Sequence, residues 1–174
     1  QYDVVIIDCP PSLGELTRNA LSAADRAVVV TEPNHFALHG AAEAVAVACD
    51  VSREDQVEAC VNATLDHFGR WDVIVNNAGL MIEKPLVELT RADWQEVLAV
   101  DLLGAFFFTR EAFRRMPRGG VIVNVSSIHA VETTPLVAAY AAAKAAIVSL
   151  TRSSALEGKA KGLRVNVVLP GAID

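Results

Sequence analysis

Residues 120–150 read Gly-Val-Ile-Val-Asn-Val-Ser-Ser-Ile-His-Ala-Val-Glu-Thr-Thr-Pro-Leu-Val-Ala-Ala-Tyr-Ala-Ala-Ala-Lys-Ala-Ala-Ile-Val-Ser-Leu, and the order of patterns within them decides the fold class. Val121 to Val125 is rich in β-branched residues with little polar alternation, as expected of a strand covered by helices on both faces. From Ala138 onward the sequence is strongly helix-forming. A buried strand followed by a long helix is the repeating unit of a parallel sheet, and the next strand, Arg164 to Leu169, follows at the right distance.

The same alternation extends through the chain. Candidate strands are Tyr2 to Ile7, Arg26 to Thr31, Ala44 to Cys49, Asp72 to Asn76, Val121 to Val125 and Arg164 to Leu169. Helix starts are signalled by Ser12 with Glu15, Ser52 with Asp55, and Thr90 with Asp93, each resembling a capping box. Right-handed crossovers between six such strands predict a single α/β domain over residues 1–174, a three-layer doubly wound parallel sheet of Rossmann type. Ligands in such sheets bind beyond the carboxyl ends of the strands. Chemistry is therefore expected just after Ile7, Thr31, Cys49, Asn76, Val125 and Leu169.

Composition agrees with one well-buried domain: 52% of the 174 residues are hydrophobic and the mean hydropathy is +0.33, which argues against disorder. The formal net charge of -6, the pI near 5.2 and the scattered Lys and Arg residues exclude a basic footprint, so nucleic acid is not an expected partner. The longest apolar runs fall far short of the roughly 18 residues needed to span a bilayer, and no membrane association is expected. The opening, Gln1-Tyr-Asp-Val-Val-Ile-Ile-Asp8, has neither an initiator Met nor the regions of a signal peptide, so a cytoplasmic chain, a fragment of a longer one, is expected. Cys9, Cys49 and Cys60 lack paired spacing and read as structural thiols. His35 and His39 are four apart without the carboxylate of a zinc motif, and with His67 and His129 they give no expected metal site.

Tyr140 and Lys144 stand four apart on the predicted helix, which puts both on one face and within reach of one ligand. An exposed tyrosine and a solvated lysine would have the same spacing, so the context matters. A free phenol titrates near 10, and an adjacent ammonium lowers that by roughly 1 to 3 units, enough to make tyrosine useful as an acid or base. Ser127 stands at the end of the strand thirteen residues upstream. Asn76-Asn-Ala-Gly79, Asp50-Val51 and the turn at Pro170-Gly171 occupy three other strand ends.

In this order the segments resemble the short-chain dehydrogenase/reductase family, collinearly from about Val45 to Asp174. The resemblance implies NAD or NADP as cofactor and a small carbonyl or alcohol as substrate. It implies that Tyr140 is the general acid–base group, that Lys144 holds the nicotinamide ribose and lowers the tyrosine pKa, and that Ser127 orients the substrate oxygen. Asp50 and Val51 match the family's adenine contacts, Asn77, Ala78 and Gly79 its adenosine side, and Pro170 and Gly171 the loop beside nicotinamide. Asp101 occupies the place of the family's helix-kinking catalytic Asn. Its main-chain carbonyl preserves one function of that Asn, while its charge works to raise the Tyr140 pKa.

The amino-terminal part departs from this pattern. The family's first strand leads into Thr-Gly-x-x-x-Gly-x-Gly, whose amides receive the cofactor pyrophosphate. Here Asp8-Cys-Pro-Pro-Ser-Leu-Gly14 takes that place, and two prolines remove two amides, so a weak dinucleotide grip is expected. Residues 1–44 instead resemble a ParA/MinD-type partitioning ATPase, through Tyr2-Asp-Val-Val-Ile-Ile-Asp-Cys-Pro-Pro-Ser-Leu-Gly14 and Val28-Val-Val-Thr-Glu-Pro-Asn-His-Phe-Ala-Leu38. Asp8 would be the Walker B acid there, but no Walker A motif accompanies it and ATPase activity is not expected. The two resemblances together predict a chimera, engineered or recombined, with a ParA-like strand-helix-strand-helix segment over 1–44 and a dehydrogenase portion over 45–174.

Two functional outcomes follow: NAD(P)-dependent hydride transfer to or from a carbonyl or alcohol, or a folded but catalytically inactive chimeric scaffold. The end of the chain at Pro170-Gly-Ala-Ile-Asp174 precedes the family's substrate-covering elements, so a poorly shielded pocket is expected. Two long helices, about Thr90 to Met116 and Ala139 to Gly158, carry Leu98, Leu102, Phe106, Phe107, Ile147 and Leu150, which predicts self-association. Glu32 lies 24 positions after Asp8, near the roughly 20-residue offset of the ribose-binding acid in dinucleotide folds, and predicts a preference for NAD(H).

Overall fold

The computed structural model describes residues 27–31, 44–116 and 119–171. They belong to two compact units, one ending at Ala48 and the other beginning at Cys49. In the first, β1 (Ala27–Thr31) and β2 (Ala44–Ala48) pair in parallel, with Ala27 opposite Ala44 and Thr31 opposite Ala48. The candidate strand at Tyr2, the Ser12–Glu15 cap, Asp8 and Glu32 lie outside the described residues.

The second unit continues with α1 (Glu54–Phe68), β3 (Val73–Asn76), α2 (Arg91–Val97), α3 (Gly104–Arg115), β4 (Val121–Val125), α4 (Ala138–Gly158) and β5 (Arg164–Val168). Its strands pair in parallel in the order β3–β4–β5, giving the Rossmann-like architecture of a parallel sheet flanked by helices. β4, paired along both edges, is buried along nearly its whole length. The flanking strands alternate instead: Val73 and Val75 of β3 and Val168 of β5 are exposed, so the apolar residues of those runs are not all covered on both faces.

Local signals explain the helix boundaries unequally. Thr90 and Asp93 form a complete capping box, with Asp93 N donating to Thr90 Oγ1 at 3.1 Å and Thr90 N donating to Asp93 Oδ2 at 2.8 Å. Ser52 does not cap α1. Its hydroxyl and its N–H both donate to Asp50 Oδ1, at 2.7 and 3.0 Å, and Arg53 takes the N-cap position without a side-chain cap. The nearer carboxylate satisfies Ser52 first, and the acidic first turn of Glu54 and Asp55 favours the helix start through its dipole.

The helical run after Thr90 is not uniform. Between α2 and α3 the residues Leu98–Leu103 form a π-helical turn, a widening that inserts an extra residue per turn and re-aims the side chains on it. α2 packs on the start of α4 through Val97, Ala139 and Ala143, all fully buried, with Ile82, Trp94, Leu98 and Tyr140 packed around them. Alanine at 139 and 143 lets the helices approach closely. Burial of Val97 alone contributes roughly 1.5–3 kcal/mol. Ile147, expected among the self-association residues, is 2% exposed and belongs to the intrachain core. No helix among the described residues is long and apolar enough to cross a membrane.

Candidate active site

The carboxyl end of β4 and the first turns of α4 are tied by side chains on both. Ser126 Oγ donates to the Lys144 carbonyl at 2.7 Å, and Lys144 Nζ donates to the Val125 carbonyl at 3.2 Å. β5 closes the third side: Ser126 N donates to Val168 O at 2.9 Å and Ile128 N to Pro170 O at 2.8 Å. Beneath these contacts a buried polar ladder crosses the sheet. Asn76 Nδ2 donates to Asn124 Oδ1 at 2.7 Å, Asn124 Nδ2 to Thr151 Oγ1 at 2.8 Å, and Thr151 Oγ1 to the Ile147 carbonyl at 2.8 Å.

On this platform Ser127, Tyr140, Lys144 and Asp101 converge. Ser127 caps the short 3-10 turn Ile128–Ala130, its Oγ accepting from His129 N at 3.2 Å, and the His129 ring meets the Tyr140 ring edge-on, 5.9 Å between centroids. The segment before α4 is held by Lys84 N donating to the Leu136 carbonyl at 2.9 Å. Leu136 has φ +74°, a backbone conformation that only a well-determined surrounding sustains in leucine. Asp101 comes from the π-helical turn. Its Oδ1 accepts from Leu80 N at 2.7 Å, while Oδ2 has no hydrogen-bond partner and lies 3.5 Å from Lys144 Nζ.

Tyr140 is pushed above its ordinary value, by burial first, against the opposing effect of the Ser127 hydroxyl and with a further push from Asp101. The Lys144 ammonium lies 5.4 Å from the Tyr140 ring centre and 3.5 Å from Asp101 Oδ2. Burial also raises the Asp101 carboxyl, against the Lys144 ammonium and the Leu80 N–H.

The remaining predicted residues fall at the expected strand ends. Asp50 is exposed and engaged by Ser52. Val51 is buried against Gly104, where a Cβ would stand 2.8 Å from Val51 Cγ2; only glycine admits that contact. Asn77 and Gly79 are exposed and Ala78 half-buried after β3, and Pro170 and Gly171 follow β5. Of these, Gly79 adjoins the converged group: a Cβ on it would stand 3.1 Å from Lys144 Nζ and 3.5 Å from Asp101 Oδ2. Cys49 and Cys60 are free and buried, and a shared hydrogen bond and burial hold the Cys49 thiol protonated. Sequence reasoning missed Ser126, Asn124, Thr151 and His129. Asn124, an amide within Val-Ile-Val-Asn-Val, was the available signal.

Comparison with known proteins places this geometry. The family model for enoyl-(acyl carrier protein) reductase matches residues 11–174. The chain is 44% identical over 127 residues to a (5R,7aS)-5-hydroxy-7a-methyl-1-oxo-2,3,5,6,7,7a-hexahydro-1H-indene-carboxyl-CoA reductase of Mycobacterium tuberculosis, covering 71% of this chain and 48% of the relative. It is 34% identical over 172 residues to a 3-oxoacyl-[acyl-carrier-protein] reductase of Synechocystis, covering 92% and 70%. Among solved structures, 3-ketoacyl-(acyl-carrier-protein) reductase of Brucella melitensis complexed with NADH superposes with a TM-score of 0.71 at 31% identity, covering 76% of this chain and 57% of that one. The chain spans about half the length of the first curated relatives it matches.

These matches overturn the reading of residues 1–44 as a ParA/MinD-like segment and of the chain as a chimera. The family match begins at residue 11 and runs unbroken through the supposed junction. Without a Walker A motif that short segment does not distinguish the two families. From residue 11 onward a single family accounts for the sequence, and the chain belongs to the short-chain dehydrogenase/reductase family.

Proposed function

We propose that the chain carries the acid–base centre of an NAD(P)-dependent oxidoreductase acting on a small carbonyl or alcohol. The observation that carries this reading is the convergence of Ser127, Tyr140 and Lys144 at the carboxyl end of β4, with the Ser127 hydroxyl hydrogen-bonded to the Tyr140 phenol and the Lys144 ammonium 5.4 Å from its ring centre and beside Gly79. The absence of a side chain at Gly79 lets the segment after β3 approach the buried ammonium closely, since a Cβ there would stand 3.1 Å from Lys144 Nζ. A nicotinamide dinucleotide bound there supplies or accepts the hydride. Lys144 then holds its ribose, Asp50 and Val51 meet the adenine end, Asn77 to Gly79 the adenosine side, and Pro170 and Gly171 flank the nicotinamide. Ser127 orients the substrate oxygen and Tyr140 gives it a proton in reduction or takes one in oxidation. The names of the two curated relatives, both reductases, and the NADH complex of the Brucella protein support this reading.

The partner and setting follow from the same reading. Leu103, Phe106 and Leu156 expose 43%, 38% and 79% of their surface, which supports a homo-oligomer that covers them. Buried, unpaired Cys49 and Cys60 suit the reducing cytoplasm.

Tyr140→Phe tests the assignment. Binding of NADH, followed by its fluorescence, is expected to survive, while turnover of a carbonyl substrate falls by roughly 10²–10⁴-fold, the range for loss of a general acid. Turnover unchanged in Tyr140→Phe refutes the role of the phenol, and no NADH binding in the parent refutes the function.

A further inference from the structure

Cys49 and Cys60 are 4% and 3% exposed, both free, and hydrogen-bonded thiol to thiol. Local geometry brings them together. Asp50 N donates to Gln56 Oε1 at 2.8 Å, which ties the residue after Cys49 to the first turn of α1. Cys60 stands four positions beyond Gln56, on the same face of that helix. Its carbonyl accepts from Thr64 Oγ1 at 2.9 Å, and Val57 and Val61 are buried beside it. The pair is asymmetric. The Cys49 S–H donates to the Cys60 sulfur, which favours a thiolate at Cys60 against the effect of burial. Burial and the neighbouring Asp50 carboxylate add to the same hydrogen bond in keeping the proton on Cys49. One sulfur is thus the better nucleophile, and the other stands in contact with it.

We propose that Cys49 and Cys60 form an oxidation site, a pair that hydrogen peroxide joins as a disulfide, and that the bond weakens dinucleotide binding at Asp50 and Val51. The second half rests on the oxidoreductase reading, which puts adenine at those two residues. The Cys60 thiolate attacks one peroxide oxygen: an S–O bond forms, the O–O bond breaks, and the departing hydroxide takes up a proton and leaves as water. Cys49 then attacks the sulfenic acid sulfur. The S–S bond forms, the S–O bond breaks, and the second oxygen leaves as water with the Cys49 proton, so the thiols are oxidised and the peroxide is reduced. Both sulfurs are nearly closed off, which favours an oxidant close to water in size over a bulky disulfide.

The consequence for binding follows from what surrounds Cys49. Closing the bond draws it from hydrogen-bond range to covalent range of α1. The next residues have little freedom to absorb that movement. Asp50 N is held by Gln56, its carboxylate by Ser52 and its carbonyl by Arg53 N at 3.0 Å, and Val51 is packed against Gly104 too closely for a side chain there. The displacement is therefore taken up in the Asp50–Val51 pair itself.

The chain has three cysteines, so Cys9→Ser leaves only this pair. Over roughly minutes to hours in hydrogen peroxide, that chain is expected to lose the mass of a hydrogen molecule and both thiols titratable in denaturant, and to regain them with dithiothreitol. NADH, followed by its fluorescence, is expected to bind about tenfold more weakly after oxidation and to recover on reduction. Adding Cys60→Ser, or Cys60→Ala if that variant does not fold, should leave NADH affinity unmoved by peroxide. Adding Cys49→Ser should stop Cys60 at the sulfenic acid, which dimedone captures. Two thiols still titratable after peroxide, or a cross-link formed only between chains, overturns the oxidation site. An NADH affinity unchanged by the bond, or weakened equally in Cys60→Ser, overturns its effect. Failure of the oxidoreductase reading has a different signature: the disulfide forms, but the reduced chain binds no NADH, which removes the effect and leaves the oxidation site standing.

Discussion

Replacing Asn124 by alanine should destabilise the chain more than any other single change in the buried ladder. Asn124 is fully buried, accepts from Asn76 at 2.7 Å and donates to Thr151 at 2.8 Å. Each lost hydrogen bond costs about 1 kcal/mol, and truncation adds a void worth roughly another 1 kcal/mol. The two partners do not suffer equally. Thr151 still donates to the Ile147 carbonyl, whereas the nearest other acceptors for Asn76 Nδ2, Ala105 O and Thr109 Oγ1, are both at 3.5 Å. The sum is about 3 kcal/mol. Thr151→Val, which keeps shape and removes a hydroxyl, should cost about 1 kcal/mol. Urea unfolding of both variants and of their double mutant measures these values and the coupling between the sites. A cost below about 1 kcal/mol for Asn124→Ala, or one no larger than that of Thr151→Val, refutes the argument that the ladder ties β3, β4 and α4 together.

Two further outcomes follow from the same structure. Asp93 is held down to about 2 from an ordinary 3.8, by the Lys84 ammonium first and then by the Thr90 N–H and hydroxyl. Because the folded value is depressed, its stabilisation is present above about pH 3.8 and is lost as pH falls toward about 2. Denaturant midpoints of the parent and Asp93→Asn should accordingly converge at the acid end and separate at neutral pH; a constant gap contradicts this. Gly104→Ala gains about 1 kcal/mol of helix propensity, but its Cβ meets Val51 Cγ2 at 2.8 Å and the Val51 carbonyl at 3.2 Å. Overpacking against a fixed backbone costs roughly 1–3 kcal/mol, so net destabilisation is expected in thermal melts. Val51→Ala in the same chain should restore part of it.

The placing of Ser127, Tyr140 and Lys144 was legible because it is local. Tyr140 and Lys144 lie one helical turn apart whatever surrounds them, and Ser127 ends a strand that Val121, Ile122 and Val123 make unmistakable. The capping box at Thr90 was equally local. Ser52 misled because it donates to the Asp50 carboxylate instead of accepting from the N–H groups of α1, and sequence spacing does not say which partner lies nearer. The proline-bearing segment after Asp8 misled for a related reason, since short strand-end patterns recur across families of parallel sheets.

By itself, then, the sequence determined the parallel α/β class and the positions of the described strands, all of which depend on periodicity and spacing within a few turns of chain. Only the tertiary structure decided how closely the charged groups around Tyr140 approach one another. Asp101 and Lys144 are 43 positions apart in sequence and 3.5 Å apart in the fold. That distance is set by the π-helical turn, the Leu80 N–H that aims the carboxyl, and the burial that excludes water. Coulomb energy in a low-dielectric interior varies steeply with such distances, and no residue pattern along the chain encodes them.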